Sequence, residues 1–84
     1  MSQSLDDCRP RMTVRVRALD GEPRLRERLA ELGFTVGAEV RVLRRAPLGD
    51  PVHVMVRGGS FALRATEARA VLVVAVEQTP ERTP

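Results

Sequence analysis

The sequence predicts a mainly β fold, a small and strongly bent barrel of about five strands with one short α-helix after the first long strand. Two observations predict it. Hydrophobic and polar residues alternate along most of the chain, and Gly, Pro and Asp separate the alternating segments, whereas a single stretch has helical periodicity. A chain of 84 residues is one domain that buries only about 60% of its unfolded surface. With two Phe as its only aromatic residues, its core must be mostly aliphatic.

The first long strand is predicted from Met12 onward, because hydrophobic and polar residues alternate there. Residues 1–9 precede it and are mostly polar, so we expect them to form an extended lead-in. One face of the strand is hydrophobic and the other polar; the first comprises Met12, Val14, Val16 and Ala18, and the second Thr13, Arg15 and Arg17.

A short helix follows the turn at residues 20–23 (DGEP), since Pro is well suited to the first helical position. Its hydrophobic face is predicted from the spacing of Leu25, Leu29 and Leu32. Gly33 can then adopt the left-handed conformation that ends many helices.

Along most of the rest of the chain, hydrophobic and polar residues alternate with a period of two. We predict a strand over 39–45, a loop over 46–51 (APLGDP), a strand from residue 52, a tight turn at Gly58-Gly59 and a strand that contains Phe61 and Leu63. One helical turn fits within 65–70. Residues 71–76 are predicted to form a strand that is buried on both faces, because the run is continuously hydrophobic.

These elements fit a small SH3-like barrel, and an OB-like barrel is the alternative. Residues 10–77 are predicted to form the single domain. Residues 78–84 are polar and contain two prolines, so a disordered tail is expected there.

The charge of the chain excludes several functions. All 14 basic residues are Arg, and the absence of Lys excludes a Walker-type phosphate loop and Schiff-base catalysis. The pI near 10.9 suggests a nucleic-acid ligand. However, 11 acidic residues are spread among the arginines, Arg44-Arg45 is the only basic doublet, and few aromatic rings are present for base stacking. We therefore expect no nucleic-acid partner.

The single cysteine, Cys8, cannot form an intrachain disulfide, which fits a reducing compartment. The N-terminus does not resemble a signal peptide, and no hydrophobic run approaches the roughly 20 residues that span a bilayer. The expectation is a cytoplasmic protein without direct membrane insertion.

Enzymatic chemistry is not expected. His53 is the only histidine, and nothing in the sequence places it beside a nucleophile. A closed zinc site needs four ligands, which the Cys and His content cannot supply. Asp50 and His53, three residues apart, make at most a weak, adventitious divalent-metal site, so no cofactor is required.

The remaining class of function is recognition of a partner by shape. Pro47 and Pro51 bracket Leu48, Gly49 and Asp50, so the loop displays a hydrophobic side chain on a stiff backbone, and stiffness lowers the entropic cost of docking. The alternative is that these residues only turn a corner of the barrel.

Four segments together resemble the FeoA family, ferrous iron transport protein A. The resemblance extends from Met12 to Val76, with departures at Arg11, where the family often has glycine, and at Gly59, where it often has an aromatic residue. Its segments are RLAELGFTVGAEV (28–40), RRAPLGDPV (44–52), RGGSFALRATEA (57–68) and VLV (71–73).

The resemblance implies a cytoplasmic SH3-like accessory that acts on the FeoB-type ferrous iron transporter by protein–protein contact. The expected contacts are the corner formed by Leu32, Gly33 and Phe34, the loop from Pro47 to Pro51, and Arg44 with Arg45. The alternative for Leu32 and Phe34 is a place in the core. Self-association through exposed strand edges is a further expectation. A metal-responsive regulatory domain and a small nucleic-acid-binding barrel remain as alternatives.

Overall fold

The computed structural model describes residues 3–76 and shows a six-stranded antiparallel sheet with two α-helices. The strands lie side by side in the order β1-β6-β2-β3-β4-β5, so β1 and β5 form the edges. The prediction of a mainly β fold with a short helix after the first long strand is confirmed. The strands are β1 (Gln3–Ser4), β2 (Thr13–Leu19), β3 (Glu39–Arg45), β4 (Val52–Val56), β5 (Gly59–Leu63) and β6 (Val71–Ala75); the helices are α1 (Pro23–Leu32), α2 (Ala65–Ala68) and a 3₁₀ helix (Leu5–Asp7).

Helix α1 begins and ends where the sequence indicates. Pro23 occupies its first turn, and Gly33 ends it with φ of 114°, a left-handed conformation that favours glycine. The Gly33 N–H donates to the carbonyl of Ala30 at 3.0 Å. Leu29 is fully buried, whereas Leu25 and Leu32 are half-buried and pack against the core.

The core lies between the inner face of the sheet and the helices. Phe34 and Leu29 pack there with a layer of valines, as expected for a chain with few aromatic residues. Every second residue of β2, β3 and β4 points inward; these are Val14, Val16, Val40, Val42, Val52, Val54 and Val56.

The β4–β5 turn lies one residue earlier than predicted. It is made by Arg57 and Gly58, with φ of 50° and 80°, and Val56 pairs with Gly59 across it. Positive φ at both central positions is the hairpin geometry that matches the twist of two strands. Arg11 also has a positive φ of 76°.

The N-terminal segment is more than an extended lead-in, which corrects the expectation for residues 1–9. Leu5 and Cys8 are 0% and 2% exposed, and β1 adds to the sheet beside β6. Ser4 caps the 3₁₀ helix: its hydroxyl accepts from the Asp6 N–H at 3.2 Å, and its N–H donates to Asp7 Oδ2 at 3.0 Å. One helical turn thus places both hydrophobic side chains in the core.

The last strand is buried on one face only, not on both as its hydrophobic run indicated. Val71 and Val73 on one face are buried, whereas on the other face Leu72 is half-buried and Val74 is 43% exposed. Buried and more exposed residues therefore alternate from Val71 to Val74, although residues on both faces of β6 are apolar. The tail predicted over 78–84 lies outside the described residues. Within residues 3–76, no helix has the length and hydrophobicity needed to cross a membrane.

Leu5→Ala should lower the free energy of unfolding by about 2–4 kcal/mol, because it leaves a cavity in the core. Leu48→Ala is the matched control, since Leu48 is 96% exposed, and should change it by less than about 0.5 kcal/mol. Urea unfolding followed by circular dichroism measures both. Equal effects would mean that the N-terminal segment does not belong to the core.

Candidate functional site

The β3–β4 loop is a closed structure that presents Leu48. The Ala46 N–H donates to the carbonyl of Pro51 at 3.0 Å, and the Gly49 N–H donates to the carbonyl of Ala46 at 2.7 Å. Gly49 has φ of 88°, and the Asp50–Pro51 peptide bond is cis. Leu48 is 96% exposed at the tip of this loop, so its side chain has almost no intramolecular contact to lose on binding.

The underside of the loop is held by Arg45. Its Nη1 donates to the carbonyl of Gly49 at 2.9 Å, and its Nη2 donates to the carbonyl of Cys8 at 2.9 Å. Further bonds reach the carbonyls of Leu5 and Asp6, and Asp6 Oδ1 lies 3.5 Å from Nη1. With its side chain 21% exposed, Arg45 joins the N-terminal segment to the loop. The structure therefore gives Arg45 a structural role that its predicted role as a partner contact did not include.

Asp50 fixes the other side of the loop. Its Oδ1 accepts from the Ala65 N–H at 3.0 Å, which satisfies a backbone donor at the start of α2. The structure thus gives Asp50 a structural contact that the metal hypothesis did not consider. His53 is half-buried in β4, where it pairs with Arg44 on β3 and Ala62 on β5.

A fuller metal site is not formed in the part of the chain that the structure describes. No three His, Cys, Asp or Glu side chains come together there. Within that part, Asp50 and His53 supply at most two protein ligands, and a weak site at this pair stays a prediction.

The corner predicted from Leu32, Gly33 and Phe34 is not a contact surface. Phe34 is 0% exposed and Gly33 is buried, which leaves only half-buried Leu32 near solvent. Because Gly33 takes a left-handed conformation, the chain turns inward after α1. The Phe34 ring consequently packs against that of Phe61, with 6.2 Å between centroids. Arg44, by contrast, is exposed as expected.

Sequence reasoning missed the N-terminal part of this region. Cys8 lies beneath the Arg45 guanidinium, and its Sγ is 3.4 Å from the carbonyl of Ser4. Burial raises the pKa of the Cys8 thiol, the Asp7 carboxylate adds to the rise, and Arg45 opposes it. The Ser-Leu-Asp-Asp sequence at 4–7 was the available signal, because Ser followed three residues later by an acid is typical of a helical cap.

The FeoA domain model matches residues 3–75. The chain belongs to the FeoA family. The match begins within β1, so the N-terminal segment is part of the family domain as well as of the core.

Solved FeoA structures resemble this chain closely. The FeoA-like protein from Clostridium acetobutylicum is 27% identical, with a TM-score of 0.84 over 96% of this chain and 94% of that one. FeoA of Stenotrophomonas maltophilia, complexed with zinc, is 34% identical, with a TM-score of 0.76 over 86% of this chain and 89% of that one. The latter is described as a prokaryotic SH3 domain protein and a candidate ferrous iron transport activating factor. These comparisons confirm the SH3-like fold and an iron-transport family.

The same fold also occurs outside the family. A manganese-dependent transcriptional repressor in complex with manganese is 24% identical, with a TM-score of 0.82 over 89% of this chain but only 37% of that one. At this identity, the likeness concerns the fold alone.

Within this FeoA chain, Arg45→Lys should lower the free energy of unfolding by about 1–3 kcal/mol, because an ammonium cannot replace the planar guanidinium fork. Amide exchange should accelerate at Cys8, whose N–H donates to the Leu5 carbonyl at 3.1 Å. Arg44→Lys, at the exposed neighbour, serves as the control. Urea unfolding and hydrogen exchange measure the two effects, and equal stability of both variants would contradict the structural role of Arg45.

Proposed function

We propose that this FeoA protein is an accessory of ferrous iron uptake, which binds the cytoplasmic part of a FeoB-type transporter through the loop over 46–51. The observation that carries the proposal is Leu48, 96% exposed at the tip of a loop that is fixed on both sides. The proposed process, iron transport, comes from the family to which the chain belongs. We further propose a cytoplasmic location and regulation by contact rather than by catalysis.

The loop has the properties of a binding anchor. A buried Leu contributes about 1.5–3 kcal/mol relative to an exposed one, and interfaces often depend on a few such side chains. Since Arg45 and Asp50 already hold the loop backbone, little conformational entropy is lost on docking. Pro47 is exposed next to Leu48 and extends the hydrophobic tip.

A charged residue beside the hydrophobic tip can orient a bound partner. Arg44 is exposed at the end of β3, and no salt bridge to it is present within residues 3–76. An unpaired rim arginine adds a charge contact and affects mainly the rate of association. The edge strand β5 carries no charged residue over Gly59–Leu63, which supports self-association as a secondary proposal.

The direct test is Leu48→Arg in calorimetric titration against the transporter's cytoplasmic domain. The substitution places a charge at a hydrophobic anchor and should weaken binding at least about tenfold. Val36→Arg is the matched control, because Val36 is 72% exposed in the turn before β3 and is separated from the loop by that strand, which is about 20 Å long. It should leave binding unchanged.

Two results would contradict the proposal. If Leu48→Arg binds as tightly as the unaltered chain, the loop is not in the interface. If both variants weaken binding equally, the effect is one of added charge rather than of the loop. Unchanged thermal unfolding of both variants would show that each is folded.

For metal, we propose that this chain requires none and that Asp50 and His53 hold a divalent ion only weakly. Two ligands make an incomplete shell, and the Asp50 carboxylate is already engaged by the Ala65 N–H. The zinc complex of the S. maltophilia relative makes zinc the appropriate probe.

In a zinc titration followed by NMR, the His53 ring signals and the Asp50 amide signal should move only with a large excess of ion, and His53→Ala should abolish the shift of the Asp50 amide. Thr66→Ala, an exposed substitution outside the Asp50–His53 pair, is the control. Stoichiometric zinc binding, or binding that persists in His53→Ala, would overturn this proposal in favour of a metal-responsive domain.

A further inference from the structure

The outer face of the sheet carries an open groove of about 320 Å³. Its floor is a cross-strand row, in which Thr13 of β2 pairs with Arg41 of β3 and Arg41 pairs with Met55 of β4. Three adjacent strands hold these residues, so the floor is a rigid part of the fold. Glu39, Arg57 and Gly58 complete the lining.

The pleat of the sheet places cations here. In β3, Val40 and Val42 point into the core, so Arg41 between them must point outward. The same rule directs Met55, between Val54 and Val56, to the outer face. Residues that alternate along the sequence are therefore sorted by the fold, with valines on one face and arginines on the other.

The positive charge of the groove is not compensated. Among the described residues that line it, Glu39 is the one acid, and its carboxylate is bound by Arg15 at 3.2 Å. Arg57 donates through Nη2 to the Thr35 hydroxyl at 2.9 Å and through Nε to the Gly33 carbonyl at 3.4 Å; both acceptors are neutral, so its charge stays in place. No salt bridge to Arg41 or Arg57 occurs within residues 3–76. Arg41 and Arg57, both exposed, thus bring two uncompensated positive charges to the lining of one groove.

A hydrophobic side chain lies beside these cations. Met55 is 40% exposed, and its flexible thioether adapts to varied apolar partners. No aromatic ring lines the groove, because Phe61 pairs with Val54 on the inner face and packs against Phe34. Single-stranded nucleic acid needs such rings for stacking, so the groove favours a ligand with carboxylates and a hydrophobic side chain.

We propose that this groove binds an acidic segment of a partner protein. Carboxylates of the segment pair with the Arg41 and Arg57 guanidinium groups, whose planar forks match carboxylate geometry, and an apolar side chain of the segment covers Met55. The surface differs in chemistry and position from the loop over 46–51, and the proposal does not rest on the transporter as partner.

The test uses two eight-residue peptides with blocked ends, one of alternating Glu and Leu and the other with Gln in place of Glu. Added to the ¹⁵N-labelled full chain, the Glu peptide should shift the amide signals of Thr13, Arg41 and Met55. The Gln peptide should not. Affinity for the Glu peptide should fall about tenfold between 50 and 500 mM NaCl, because salt screens exposed charges.

Arg41→Glu should weaken binding of the Glu peptide at least about tenfold, since it removes an attraction and adds a repulsion. Arg24→Glu is the matched control, with the same change of charge at an exposed site on α1, and should alter affinity less than about twofold. Leu48→Arg should also leave peptide binding intact. That variant separates this proposal from the transporter contact, because each can fail while the other holds.

Several outcomes would overturn the proposal. Equal binding of the two peptides, or equal loss in Arg41→Glu and Arg24→Glu, would show that the groove does not select carboxylates. Tighter binding of a ten-nucleotide oligothymidylate than of the Glu peptide would assign the groove to nucleic acid instead. A dimer seen by light scattering and lost in Arg41→Glu would mean that a second copy of the chain occupies it.

Discussion

The hydrogen bonds of Arg45 are the interaction on which the arrangement of this domain depends. One guanidinium, positioned by the end of β3, binds backbone carbonyls of the N-terminal segment and of the β3–β4 loop at the same time. The carbonyls of Asp6 and Cys8 would otherwise need water, because the 3₁₀ helix is too short to satisfy all of its own acceptors. Once they are paired, Leu5 can remain in the core and Leu48 can remain exposed on a fixed loop. The Arg45 side chain thereby links the packing of Leu5 in the core to the position of Leu48 in the candidate site.

The periodic elements were predictable because their signals are local. The bounds of β3 and the start and end of α1 follow from alternation, from Pro23 and from Gly33, all within a few residues of the element. The N-terminal segment was not predictable in the same way. Its partner, Arg45, lies 37 to 40 residues away in the sequence, and no pattern within residues 1–9 reveals that contact. The exposure of Val74 is of the same kind, since only the assembled sheet determines which face of β6 remains open.

The candidate site shows the same division between local and long-range information. Pro and Gly in the loop predicted its stiffness, and the structure places Leu48 at its tip. The sequence left Phe34 open between a contact surface and the core, and the left-handed Gly33 directs it into the core. The distribution of charge over the surface depends on long-range contacts in the same way. Arginines and acids are interspersed along the chain, but the pleat brings Arg41 to the same groove as Arg57, and Arg15 neutralises the one acid beside them.

Strand β3 contributes to both candidate surfaces, the loop over 46–51 and the groove, which would bind partners through different interactions. Arg45 at the base of the loop and Arg41 in the groove are four residues apart in β3, or about 14 Å. A partner of ordinary size covers that distance easily, since a standard interface buries about 800 Å² on each side. Hydrophobic burial at Leu48 would then provide affinity that salt hardly changes, whereas the guanidinium groups would provide steering and orientation that salt removes. If a single partner uses both, high salt should slow its association more than it speeds its dissociation, because long-range attraction acts mainly before contact.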